Sequence, residues 1–274
     1  MNIGIVGQGF VGDAIYKKFK SYYEVFTYDL DKDKCNSTLE IIVQKCGIVF
    51  LCLPTPMESS GACSTDILRQ ALDDLNFLGY RETIVIKSTV PPGTTDELNS
   101  IYSDMSIVFN PEFLSEVSAE EDFKNTTRVI LGGPRPSTTL LKQVYVKVFP
   151  NATIVKTGAA HAEMVKYFTN AFLATKVTFA NEVYRLCEAI NLDYDKVVEY
   201  ATLDPRIGKA HLAVPGPDGE LGFGGHCLPK DLNALVYLYK SKGIDPIFFE
   251  SVLELNDTVR ENKDWLELKG RAVV

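Results

Sequence analysis

The chain has 274 residues, 46% of them hydrophobic and 23% charged, with a formal net charge of −8. This is enough chain for one large or two ordinary soluble domains. The acidic balance and the absence of a long basic run argue against nucleic-acid binding and against a membrane-surface helix, and no apolar stretch is long enough to span a bilayer. The opening Met1-Asn2-Ile3-Gly4-Ile5-Val6-Gly7 lacks the basic start and long apolar core of a signal peptide. Six scattered cysteines without a Cys-x-x-Cys pair argue against a disulfide framework or a zinc site. A reducing cytoplasm and no metal are therefore expected.

In chain order, strands are predicted over 2–6, 24–28, 48–52, 83–87, 106–109, 128–131 and 153–155, and helices over 11–20, 39–45, 65–78, 94–101 and 137–148. Near-continuous apolar runs such as Gly47-Ile48-Val49-Phe50-Leu51-Cys52 fit strands buried on both faces. The alternation predicts an α/β fold, a Rossmann-type doubly wound parallel sheet over 1–157. The pattern then changes. Residues 159–190 read as one long helix without proline or glycine, followed by helices over 194–202, 232–242 and 248–268 and broken by a Gly- and Pro-rich loop over 204–230. An all-α domain over 158–274 is expected, its long helix spanning between domains or forming a subunit interface.

Gly7-Gln8-Gly9-Phe10-Val11-Gly12 follows the first strand and opens the first helix. In such a turn the first glycine permits the tight bend, the second lets the backbone approach a pyrophosphate, and the third lets helix and strand pack closely. The helix N-terminus then faces the phosphates. Asp29 ends the second strand, where a carboxylate accepts from ribose hydroxyls and repels a 2′-phosphate, so NAD is expected over NADP. Lys32 and Lys34 nearby soften that preference. Three further loops leave the carboxyl ends of strands and carry Thr55, Thr89, Glu112 and Glu116. Together they read as a cleft; a carboxylate pair on a solvated loop is the plainer alternative for Glu112 and Glu116. Lys166 and Asn170 share i,i+4 spacing on the long helix. The lysine reads either as a snorkelling side chain or as an ammonium aimed beside a developing oxyanion, and spacing alone favours the first.

The densest signal is Gly222-Phe223-Gly224-Gly225-His226-Cys227-Leu228-Pro229-Lys230-Asp231. Bare glycines let a backbone lie close against a ligand. A cysteine there, with Lys230 to favour a thiolate and Asp231 to orient water, reads as a covalent nucleophile. His226 is given no catalytic role.

These motifs, ordered along nearly the whole chain, resemble the UDP-glucose/GDP-mannose dehydrogenases, which oxidise a sugar-nucleotide alcohol twice to a carboxylate with NAD. The resemblance rests on 7–12, Thr55-Pro56, Ser88-Thr89-Val90-Pro91, 110–116, 166–173 (with Asn170-Ala171-Phe172-Leu173), 204–208 and 222–231. It implies that Cys227 is the nucleophile, that Lys166 and Asn170 hold an oxyanion and a water, and that Asp231 supports that water. Glu112 would act in thioester hydrolysis with Glu116 and Thr89 close by. Gly7, Gly9, Phe10, Val11, Gly12, Asp29, Thr55, Thr89 and Glu116 would hold NAD. The nucleotide-sugar substrate would meet Glu112, Phe113, Leu114, Lys166, Asn170, Arg206 (possibly reaching across a homodimer interface), Phe223, Gly224 and Gly225. The family also carries a third, C-terminal α/β domain that helps hold the substrate's nucleotide; this chain, ending at Val274, is expected to lack it, and its 29–55 stretch is compact for the family. The alternatives are a single-step hydroxyacid-type dehydrogenase and a catalytically silent NAD-binding module.

Overall fold

A computed structural model of the chain describes residues 1–115 and 118–274. It divides into two compact units, one of Met1–Thr55 with Thr65–Lys166 and one of Pro56–Ser64 with Tyr167–Val274.

The first unit runs β1 (Asn2–Val6), α1 (Phe10–Phe19), β2 (Val25–Tyr28), α2 (Leu39–Lys45), β3 (Cys46–Leu51), α3 (Asp66–Phe77), β4 (Thr83–Ile86), α4 (Thr94–Ile101), β5 (Ser106–Phe109), α5 (Ala119–Lys124), β6 (Arg128–Gly132), α6 (Arg135–Val148) and β7 (Thr153–Thr157), and includes the start of α7 (Ala159–Ala189). The seven strands form one sheet in the order β2-β1-β3-β4-β5-β6-β7. Because successive residues of a strand face opposite sides, Ile48 and Phe50 join one core while Val49 and Leu51 join the other. The first core is closed by Ile15 and Phe19 of α1 and by Leu141, Val144 and Tyr145 of α6. The second is closed by Ile42 of α2, Leu68, Leu72 and Leu75 of α3 and Leu98 of α4. Phe19 anchors the first core edge-on, 5.7 Å from both the Phe50 and Tyr145 rings.

Pairing is parallel except between β5 and β6, which meet antiparallel with Phe109 opposite Gly132. The doubly wound, mostly parallel sheet expected from the sequence is present, with this one antiparallel junction. The chain after β5 does not cross a sheet face in a full helical crossover. It folds through α5 and returns, and such a return gives an antiparallel neighbour. The sequence pattern also missed α5, which at six residues is too short to show a period. Since β1 lies between β2 and β3, connections depart to both faces from this point, and the crevice outside the β1 and β3 carboxyl ends is where such sheets take ligands.

Gly93, at φ 99°, starts α4 without a side-chain cap of its own. The buried Glu163 of α7 supplies one, accepting from Gly93 N at 2.6 Å and Thr95 N at 2.8 Å. Burial pushes the Glu163 carboxyl above its ordinary range, against the pull of these bonds.

The second unit holds the rest of α7 with α8 (Tyr194–Ala201), α9 (Leu228–Ser241) and α10 (Ile247–Val259). Tyr167, Ala171, Phe223, Leu232, Leu235 and Val252 make one core, and Ala180, Cys187, Tyr194, Leu212 and Val214 a second. Two boundaries differ from those read in the sequence. Helix α9 starts at Leu228 rather than 232, because Pro229 sits in the first turn, where a missing N–H costs nothing. The last helix stops at Val259; Arg260 is extended (φ −90°, ψ 105°), and only a short 3₁₀ turn, Asp264–Leu266, follows.

Candidate active site

Within the first unit the three fingerprint glycines separate by role. A Cβ on Gly7 would collide with the Cys52 carbonyl, and one on Gly12 with the Gly7 carbonyl, whereas a Cβ on Gly9 would meet nothing within 4 Å among the described residues. Gly7 and Gly12 are thus glycines for packing. Gly9 presents an open backbone at the N-cap of α1, where no side chain makes a capping bond, and leaves room for a pyrophosphate against the helix dipole. Asp29 stands beside this turn: its Oδ2 accepts from Gln8 N at 2.6 Å and its Oδ1 from Asp31 N at 2.9 Å. The open glycine, the uncapped helix and the strand-end carboxylate fit a dinucleotide. Phe10 and Val11 are the first residues of α1, so they stand at the same turn.

The loops after β3 and β4 are stitched together at the same sheet edge. Thr55 Oγ1 donates to the Thr89 carbonyl at 2.8 Å, while Ser88 Oγ donates to the Leu53 carbonyl at 2.6 Å and accepts from Leu53 N at 3.1 Å.

The loop after β5 carries the first charged cluster. Lys166 is 3% exposed and Glu112 8%, so neither is a solvated side chain, contrary to what spacing alone favoured for the lysine. Lys166 Nζ lies 2.8 Å from both Glu112 Oε1 and the Glu112 carbonyl, and 5.7 Å from the Phe113 ring centre. Glu112 Oε2 accepts from Leu114 N at 2.6 Å, which curls the loop around its own carboxylate. Arg128 covers the Phe113 ring at 4.1 Å. Glu116 lies outside the described residues.

A second buried lysine completes this cluster, and the sequence reading passed over it. Lys87 follows the Ile84-Val85-Ile86 run of β4, at the strand end where α/β sheets bind ligands. That placement was the available signal. Its Nζ donates to Asn110 Oδ1 at 3.0 Å and to the Pro111 carbonyl at 3.4 Å, fixing the loop that carries Glu112. Tyr145 OH also donates to Asn110 Oδ1, and Asn110 Nδ2 donates to the Ile130 carbonyl. Burial pulls the Lys87 ammonium down to about 8; Lys166 acts in the same direction, and Cys52 and Glu112 oppose it. The folded value lies below the ordinary lysine value of about 10.4. Between these two pH values the unfolded chain keeps a proton that the folded chain has released, so this group's contribution to stability grows as pH rises and is lost as pH falls through about 8. Urea unfolding from pH 7 to 10 is expected to show wild type gaining on Lys87→Met, with a slope of up to about 1.4 kcal/mol per pH unit. A difference that stays flat over that range would count against this reading of Lys87.

In the second unit Cys227 occupies the N-cap of α9, with Lys230 and Asp231 in the first turn. The Cys227 carbonyl accepts from Asp231 N at 2.9 Å. Asp231 is 2% exposed and both its oxygens are engaged, Oδ1 by Lys230 Nζ and Oδ2 by Asn170 Nδ2, each at 2.6 Å. Burial alone would lower the Lys230 ammonium, but Asp231, with Cys63 and Cys227, holds it above the ordinary lysine range. A helix N-terminus and a nearby ammonium both favour negative charge on the Cys227 sulfur.

The glycines before Cys227 have different neighbours from those the sequence suggested. A Cβ on Gly222 would strike Asn256 Oδ1, and one on Gly224 would strike Arg260 and Asp264, so two of the three bare sides face this chain's own side chains. Gly225, at φ 69°, keeps an open side. Phe223 is buried in the core. Arg206 forks onto Asp204 and stands in solvent, and Lys176 of α7 holds the Ile207 and Gly208 carbonyls beside it. Among the described residues, no three His, Cys, Asp or Glu side chains group to hold a metal, and no helix is long and apolar enough to cross a membrane.

A Rossmann-type sheet with an open glycine turn at its switch point places the first unit in the class of dinucleotide-binding α/β proteins, here joined to a helical unit with a cysteine on a helix end. The chain belongs to the UDP-glucose/GDP-mannose dehydrogenase family: its NAD-binding domain matches residues 34–149 and its central domain residues 160–258. NAD is therefore the cofactor. Over 222 residues the chain is 36% identical to the UDP-glucose 6-dehydrogenase TuaD of Bacillus subtilis, covering 78% of this chain and 47% of that one. Over 294 residues it is 32% identical to the UDP-glucose 6-dehydrogenase of Rickettsia bellii, covering 93% and 67%. The structure of a UDP-glucose dehydrogenase from Pyrobaculum islandicum superposes with a TM-score of 0.84 at 28% identity, covering 94% of this chain and 68% of that one. The chain spans about half to two thirds of the length of these curated relatives.

Proposed function

We propose that the chain is an NAD-dependent nucleotide-sugar dehydrogenase that oxidises the primary alcohol of its substrate to a carboxylate, with UDP-glucose to UDP-glucuronate as the reaction. Residues 1–157 serve as the NAD-binding domain and 158–274 as the helical domain. The observation that carries this reading is Cys227 at the N-cap of α9, one turn from an Asp231 clamped by Asn170 and Lys230. A single-step alcohol oxidation needs no such thiol.

NAD, when bound, would supply the hydride acceptor for each oxidation in turn, a fresh molecule replacing the NADH in between. The Cys227 sulfur adds to the aldehyde carbon left by the first, forming a C–S bond and an oxyanion that takes up a proton. Lys166 and Asn170 stabilise that oxyanion. The second oxidation leaves a thioester. Water held by Asp231 attacks it with Glu112 as base, the C–S bond breaks, and the thiolate returns to Cys227. Thr89 and Glu116 are assigned to the same chemistry, and Phe113, Leu114, Arg206, Phe223, Gly224 and Gly225 to binding of the substrate. Water supplies the added oxygen, and two hydrides leave.

The active form is a homodimer through the helical domain. Exposed Phe168, Phe172, Phe179 and Leu186 of α7 support this, Phe168 and Phe172 stacking 6.4 Å apart. Sedimentation at the mass of a single chain would remove the dimer from the proposal.

Purified protein given NAD and a limiting amount of UDP-glucose should release two NADH per sugar. One NADH per sugar would favour the hydroxyacid-type alternative. Calorimetric NAD binding without turnover of any UDP- or GDP-sugar would favour the silent module.

A further inference from the structure

The loop before Cys227 makes no strand or helix, yet its backbone is held at four points by side chains. Asn256 of α10 contacts Phe223 twice: Oδ1 accepts from Phe223 N at 2.7 Å, and Nδ2 donates to the Phe223 carbonyl at 3.0 Å. Gly222 N donates to Asn181 Oδ1 and Gly225 N to Asp264 Oδ2, each at 3.0 Å. Asp264 is held in turn by Arg260, whose Nη2 reaches Asp264 Oδ1 at 3.1 Å. The other Arg260 nitrogens donate to Asp218 Oδ2 and to the Asn262 carbonyl, each at 2.7 Å.

Both Asn256 and Arg260 are 2% exposed, so these bonds form away from water. A buried, doubly paired arginine is weak evidence of added stability, since its desolvation offsets its attractions. What it provides is geometry: a planar fork with fixed donor directions. The space for it comes from glycine, because a side chain at Gly222 or Gly224 would collide with Asn256, Arg260 or Asp264. Gly225, the last residue held, is two positions before Cys227.

We propose that Asn256, Arg260 and Asp264 are positioning residues for Cys227. They fix the glycine loop from behind and so set the sulfur at the N-terminus of α9. The proposal deepens the reading of Cys227 as nucleophile and rests on it for its catalytic consequence, but not for its effect on the thiol.

The test uses Arg260→Lys, which keeps the charge and loses the fork, and Asp264→Asn, which changes a partly exposed side chain with little change of shape. Alkylation by iodoacetamide at pH 7 is followed at each cysteine by mass spectrometry. Cys227 in both variants should react about tenfold more slowly than in wild type, while Cys35 and Cys63 keep their rates. With NAD and UDP-glucose, kcat should fall about a hundredfold with KM for NAD unchanged, and guanidinium ion should restore part of the rate in Arg260→Ala. Wild-type alkylation of Cys227 in a variant that retains its melting temperature overturns the proposal. If Arg260→Lys does not fold, Asp264→Asn decides alone. Wild-type protein that turns over no sugar nucleotide, with the alkylation pattern as expected, sinks the enzymatic reading and leaves the positioning role standing.

Discussion

Cys227→Ser is expected to lower steady-state release of the acid product by about a thousandfold or more. The hydroxyl that replaces the thiol is a far poorer nucleophile at neutral pH, and residue 227 sits at a helix N-terminus with Lys230 in the same first turn, surroundings that suit a negative sulfur better than a neutral hydroxyl. In the proposed reaction the first oxidation does not need the sulfur, so NADH should stop at one equivalent per sugar and an aldehyde trap such as hydroxylamine should capture the product. The fold should be spared, since the change is close to isosteric. A variant that still releases acid within tenfold of wild type would show that Cys227 is not the covalent group.

Lys166→Met is expected to cost about 3–5 kcal/mol of stability, read from urea unfolding at pH 7, because it strands the buried Glu112 carboxylate without its cation. Glu112 would keep its bond from Leu114 N, which brings no positive charge. Adding Glu112→Gln to the same chain should return much of the loss, since the uncompensated charge is then gone. The double variant separates two roles of the lysine: stability should recover while turnover stays depressed, as no ammonium remains to face an oxyanion. A single-variant cost below about 1 kcal/mol would mean that the pair is solvated, and the argument for its catalytic use would weaken with it.

How much of this was legible in the sequence depended on which physical signal carried it. The β1 turn and α1 were legible because a period-2 run, three spaced glycines and a period-3.6 run follow one another without a gap. The crowding at Gly7 and Gly12 and the open side of Gly9 follow the same logic. The reversal at β6 was not legible, since strand direction depends on the path of a connection and not on the strand's residues. Burial of Lys166 was hidden because helical spacing says which residues share a face but not what covers that face. Lys87 was missed for a related reason: one cation at the end of an apolar run looks like a strand terminator. The clamp behind the glycine loop was invisible because Asn256, Arg260 and Asp264 lie more than thirty positions away from Phe223, on an element read as one uninterrupted helix.

The glycine turn after β1 divides its demands between folding and ligand. Positions 7 and 12 are closed to any side chain by the protein's own backbone, while position 9 is closed by nothing among the described residues. A descendant of this chain that had given up its cofactor would drift at Gly9 first, with Gly7 and Gly12 still held in place by the packing of strand against helix.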